Sequence, residues 1–192
     1  TLPSVAPSPI VAVQFDGDIG QWQRLGRHGV KHVGHQDGDQ RRAHAVTHGI
    51  GKQQVMGVAD PAMGNEVARE AVDLALRATC DPGDEVILHE PSYVAYIPAI
   101  VFAGGKVVTV ATRFEDDFAL DPTAVEAAIT PRTKALFLGY PSNPTGAVLP
   151  DEVQDELAAI AERHDLLVYS DEIYDRLAYG TYRHRAFSSL PG

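Results

Sequence analysis

The chain has 192 residues, 44% of them hydrophobic, a single Cys and a formal charge of −10. This describes a globular chain with one real core; the acidic balance argues against a nucleic-acid partner, and no apolar run is long enough to imply a membrane one. The lone Cys80 excludes an internal disulfide and a cysteine-based zinc site, and fits a reducing, cytoplasmic setting.

The first 69 residues are the least patterned. They hold seven Lys/Arg and six Asp/Glu, whereas residues 70–192 hold nine and twenty. Five of the eight His lie before position 50. The opening TLPSVAPSPIVAV lacks Met and a charged start, so it makes a poor signal peptide and need not be the native beginning. Only VAVQF at 11–15 reads as a strand. His28 and His32, and His44 and His48, stand four apart, a helical metal spacing, but no Cys or HExxH supports it, so no metal is expected. Gly51-Lys52 and Gly105-Lys106 are not followed by Ser or Thr, which excludes a phosphate loop.

From Val67 the signals sharpen. Val67, Ala71, Leu74, Ala75 and Ala78 recur at helical spacing, and the turn Asp81-Pro82-Gly83-Asp84 ends that helix. EVILH (85–89) predicts a buried strand, and SYVAYIPAIVFAGG (92–105) a helix despite Pro98. KVVTV (106–110) is a second strand; Asp121-Pro122 opens a short helix through Ile129 as N-cap and N1. KALFLGY (134–140) is a third strand. DEVQDELAAIAERH (151–164) is the clearest helix, with Val153, Leu157, Ile160, Ala161 and His164 on one face and Asp151 and Glu152 at its positive end. LLVYS (166–170) is a fourth strand. Strands alternating with helices predict an α/β fold: three layers, a mainly parallel sheet with helices on both faces.

In such a sheet ligands bind beyond the carboxyl ends of the strands. Pro141-Ser142-Asn143-Pro144-Thr145-Gly146 and Ser170-Asp171-Glu172-Ile173-Tyr174 lie at two of these ends, joined by one helix. A right-handed crossover puts both on the same edge, so Asn143 and Asp171 can converge on one ligand. A carboxylate at a buried strand end is costly unless a cation offsets it. Tyr174 and Tyr93 could reach the same space. Each residue also has a plainer reading: Asp171 as a cap, Asn143 as a turn residue before Pro, Tyr93 as core with Tyr96 as its competitor, Tyr174 as a packing residue, and Glu172 as a structural acid. Cys80 reads as a small packing residue.

DPGDEVILHEPSYVAY, YPSNPTGAVLP and LLVYSDEIYDRLAYG together resemble the class I/II aminotransferases of the fold-type I pyridoxal-phosphate superfamily, from about Glu70 to Leu190. The resemblance implies pyridoxal 5′-phosphate as cofactor, an amino acid and a 2-oxo acid as substrates, and a homodimer. It implies that Asp171 pairs with the pyridine nitrogen, Asn143 and Tyr174 share the phenolic oxygen, and Tyr93 stacks on the ring. Aspartate or aromatic amino acids are the favoured donors; a carbon–sulfur lyase or a non-catalytic effector-binding domain of the same fold are the alternatives. The family's Schiff-base lysine is expected beyond Gly192, with the substrate-binding arginine, so residues 70–192 read as a partial large domain, inactive alone, and no catalytic residue is assigned within it. Where the family places a small-residue phosphate turn, this chain has Asn65-Glu66-Val67-Ala68-Arg69. Residues 1–69 therefore read as unassigned, a shifted reading frame or a mis-joined segment.

Overall fold

A computed structural model describes residues 11–14, 31–32, 46–50, 53–57 and 64–190, with side chains from Arg69 onward. The described segments form one eight-stranded sheet. Its strands are β1 (Val11–Gln14), β2 (Lys31–His32), β3 (Val46–Ile50), β4 (Gln53–Gly57), β5 (Glu85–Glu90), β6 (Lys106–Ala111), β7 (Thr133–Gly139) and β8 (Leu167–Asp171). The order across the sheet is β2-β3-β4-β1-β8-β7-β5-β6. All pairings from β4 through β6 are parallel; β2-β3 and β3-β4 are antiparallel. The strand expected over 11–15 is β1. The strands β3 and β4 were not foreseen, because VTHGI and QQVMG mix Gly, Gln and His into what would otherwise alternate. The metal spacing at His28 and His44 falls outside the described residues, and the side chains of His32 and His48 are not described.

The strand sequences explain the three layers. In β5, β7 and β8 successive side chains point to opposite faces, and both faces are apolar. Val86, Leu88, Ala135, Phe137 and Tyr169 pack against helices α1 (Gly64–Thr79) and α2 (Tyr96–Phe102) through Ala71, Val72, Ala75, Leu76 and Ile100. Ile87, Leu136, Leu138 and Val168 pack on the other face, against α3 (Pro122–Ala128) and α4 (Asp151–Arg163) through Val125, Leu157, Ile160 and Ala161. The expected α/β architecture, a mainly parallel sheet with helices on both faces, is the one observed.

Local chemistry sets the helix ends. Asp121 caps α3, its Oδ1 accepting from the Thr123 N–H at 2.9 Å, with Pro122 at N1 as expected. The helix expected over 92–105 is shorter, Tyr96–Phe102. Starting at Tyr96 keeps Pro98 in the first turn, where a missing N–H has no helical acceptor to lose. On α4 the inward face also differs. Gln154 is buried, donating from Nε2 to the Leu149 carbonyl at 3.2 Å, while His164 is exposed beyond the last turn, near Glu126. A helix-terminal imidazole finds water and a carboxylate there at no desolvation cost.

Candidate active site

The connection β7–α4–β8 joins neighbouring parallel strands, so the segments after Gly139 and Asp171 leave the sheet on one edge; Gly139 and Asp171 are register partners. A small cavity, partly open to solvent, lies at this edge. Tyr93, Asn143, Asp171 and Tyr174 all line it, together with Tyr96 and Arg69. The structure thus brings the four sequence-predicted site residues to one space.

Asp171 is the electrostatic centre of this space. It is 6% exposed, at the last position of β8. Its Oδ2 accepts the Tyr96 hydroxyl at 2.7 Å, and its Oδ1 accepts the Ile173 N–H at 3.2 Å. Burial raises its pKa above the usual carboxylate range; the two hydrogen bonds oppose that rise, and Glu172 adds to it. The cation expected beside it is not among these partners: two neutral donors hold the carboxyl instead. Burial, and the neighbouring carboxylate, also push the Tyr96 hydroxyl up, so it stays a donor.

The remaining residues arrange around that carboxyl. Asn143 Nδ2 donates to Tyr174 Oη at 3.3 Å, so the two side chains meet. Tyr93 stands edge-to-face on Tyr96 with ring centres 5.5 Å apart. Tyr174 follows β8 in a turn. Glu172 is absent from the cavity lining and holds the following segment: it accepts from Ser170 Oγ at 2.7 Å and the Phe187 N–H at 2.9 Å, and lies 2.7 Å from His184 Nε2. The structural-acid reading fits these contacts. Lys106 and Lys134 sit at the amino ends of β6 and β7, and among the described residues no lysine lines the cavity.

Two contributors escaped sequence reasoning. Arg69 is the one basic residue among those described along the cavity; its spacing of three from Val72, on the same helix, was the available signal. Gly139 lets Tyr96 reach Asp171, because a Cβ there would stand 2.9 Å from Tyr96 Oη and 3.0 Å from its Cε2. Gly139→Ala is therefore expected to push the Tyr96 ring off Asp171 and to destabilise the chain by about 1–3 kcal/mol. Urea unfolding, with a crystal structure or tyrosine NMR of the variant, checks both effects; an unmoved ring and unchanged stability would show that the close approach has slack.

A mainly parallel sheet covered by helices, with a buried carboxyl and amide, phenol and guanidinium groups lining one cavity at its carboxyl edge, defines an α/β domain with a candidate ligand site. Comparison with known proteins narrows this: the sequence pattern of "Aminotransferase class I and II" matches residues 61–189, and the chain belongs to that family. It is 50% identical over 111 residues to the aspartate/prephenate aminotransferase of Thermus thermophilus, covering 58% of this chain and 29% of that protein. It is 36% identical over 156 residues to aromatic-amino-acid aminotransferase 2 of Thermococcus litoralis, 81% of this chain and 36% of that protein. The solved aromatic aminotransferase of Pyrococcus horikoshii superposes with a TM-score of 0.64 at 41% identity, over 65% of this chain and 34% of that one. The chain spans about a third of the length of these relatives. The family match begins at residue 61, upstream of the expected start near Glu70.

Proposed function

We propose that this chain supplies the pyridoxal-phosphate cradle of an aminotransferase acting on aspartate or aromatic amino acids with a 2-oxo acid as acceptor. The observation that carries the reading is Asp171, a buried carboxyl with neutral partners only, facing a cavity shared with the Asn143–Tyr174 pair. Such a carboxyl suits a protonated pyridine nitrogen, which would provide the missing cation. When bound, the cofactor supplies an electron sink for the carbanion formed at the α-carbon of an amino acid.

The residues divide the work by chemistry. Asp171 keeps a proton on the ring nitrogen, and Tyr96 and the Ile173 N–H hold the carboxyl in place. Asn143 and Tyr174 offer two donors to the phenolic oxygen. Tyr93 offers an aromatic face, and Arg69 a guanidinium for the phosphate. The aspartate or aromatic donor rests on what the relatives are named for. Exposed apolar side chains before and on α2, Val94, Val101 and Phe102, support a homodimer. The family match takes in residues 61–69, Arg69 among them, so a shifted frame or mis-joined segment remains our reading only of the chain before residue 61; translating the gene in its other frames tests it, and no frame with an aminotransferase-like segment would end it.

Titration with pyridoxal 5′-phosphate, followed by its visible absorbance, tests the cradle. Saturable binding that weakens at least about tenfold in Asp171→Ala is expected. Arg69→Ala is expected to weaken pyridoxamine 5′-phosphate about tenfold and to leave the phosphate-free pyridoxamine unchanged, since only the phosphate meets the guanidinium. A wild-type chain that does not saturate would overturn the reading.

A further inference from the structure

We propose that His89 is a positioning residue of this cradle, a neutral ring that fastens the loop carrying Tyr93 to the loop carrying Asn143. The proposal rests on the cofactor reading above. His89 occupies the penultimate position of β5 and is 1% exposed. Its Nδ1 lies 3.0 Å from the Pro91 carbonyl oxygen, and its Nε2 accepts the Gly139 N–H at 3.2 Å. Those two partners leave one tautomer. The Gly139 amide can only donate, so Nε2 carries the lone pair; the Pro91 carbonyl can only accept, so Nδ1 carries the proton.

The consequence is a bridge between strand ends. Pro91 is two residues before Tyr93, and Gly139 is four before Asn143. β5 and β7 are adjacent parallel strands, but their last register pair is Leu88 with Phe137, so ladder hydrogen bonding does not reach the loops. The imidazole continues the connection past that point, from side chain to backbone on both sides. The Tyr140 ring packs on it with centres 4.6 Å apart. Burial draws its pKa down to about 4, so the neutral form holds through the neutral range. Glycine 139 thereby serves both sides of the site, since its N–H meets His89 and its missing Cβ makes room for Tyr96.

Two variants separate this role from bulk packing. His89→Leu removes both hydrogen bonds. His89→Asn retains a donor near Pro91 and loses the acceptor for Gly139. Val125→Ala, in the core on the α3 face, serves as a destabilised control outside the cradle. The probe is pyridoxamine 5′-phosphate, followed by its fluorescence on the full chain, with thermal unfolding of each variant in parallel. The expected result is a loss of affinity of about tenfold in His89→Leu, a smaller loss in His89→Asn, and none in Val125→Ala. Long-range ¹H–¹⁵N NMR of wild type should show a neutral ring protonated at Nδ1. An Nε2-protonated ring overturns the proposal, as does wild-type affinity in folded His89→Leu or His89→Asn. If His89→Leu fails to fold, the asparagine variant and the tautomer decide the matter. Wild-type chain that binds no pyridoxamine 5′-phosphate overturns the cofactor reading and this role with it, whereas binding that ignores His89 overturns this role alone.

Discussion

Asp171→Asn is expected to lower affinity for pyridoxal 5′-phosphate about a hundredfold while leaving the ligand-free chain more stable than wild type. The affinity loss follows from removing the charge that faces the pyridinium; a charge-assisted bond in a buried setting contributes about 1.5–3 kcal/mol. The gain in stability follows from linkage. Burial raises the folded pKa of Asp171 above its unfolded value, so the native state gives up this proton less readily than the unfolded chain. Above the unfolded pKa that difference disfavours folding, and it is relieved as pH falls. Asparagine carries no charge, and its two ends suit the same partners: Oδ1 can accept the Ile173 N–H while Nδ2 donates to Tyr96 Oη. An increase in Tm of a few degrees near pH 7 is expected, on the order of 2–4 °C per kcal/mol for a chain of this size. Thermal unfolding and ligand titration of the one variant measure both. A variant that loses stability and affinity together would mean that Asp171 is a structural cap.

The second large effect is acid sensitivity set by His89. Its folded pKa lies near 4, against 6.5 for the free side chain. Between those values the unfolded chain binds a proton that the native ring refuses, so stability rises with pH across that window. It is fully present above about pH 6.5 and lost as pH falls toward 4, by up to about 3 kcal/mol at about 1.4 kcal/mol per unit. Asp171 works in the opposite sense, gaining stability on protonation, so its asparagine variant is the cleaner background. Glu85 and Glu126, whose partners lower their pKa values, lose their contributions only below the ordinary carboxylate range of about 4.5. Urea unfolding of Asp171→Asn at intervals from pH 4 to 7 should show this slope, and adding His89→Asn should flatten it. A slope that survives the second substitution would place the titrating group elsewhere.

The strands β5, β7 and β8 were legible because burial on both faces leaves unbroken apolar runs between turn residues. The convergence of Asn143 and Asp171 was legible for a topological reason, since one crossover helix between adjacent parallel strands fixes which ends share an edge. The lower legibility of the rest also has physical causes. Tyr96 and Asp171 meet across 75 positions, and no local pattern says which of Tyr93 and Tyr96 turns inward. His89 read as an unremarked member of a strand, because its role depends on a carbonyl two residues on and an amide on the next strand. Gly139 contributes through an atom it lacks, which composition cannot show. On α4, periodicity placed His164 inward, whereas the helix ends at Arg163 and leaves that position in water, while Gln154 turns inward to a carbonyl.

The central claim is that Asp171 holds a protonated pyridine nitrogen. The measurement that tests it most directly is the ¹⁵N chemical shift of pyridoxamine 5′-phosphate, labelled at its ring nitrogen and bound to the chain near pH 8. The account predicts a pyridinium shift in the wild-type complex that moves to the neutral value in Asp171→Asn. A neutral ring nitrogen in the wild-type complex, or the same shift in both proteins, would contradict it.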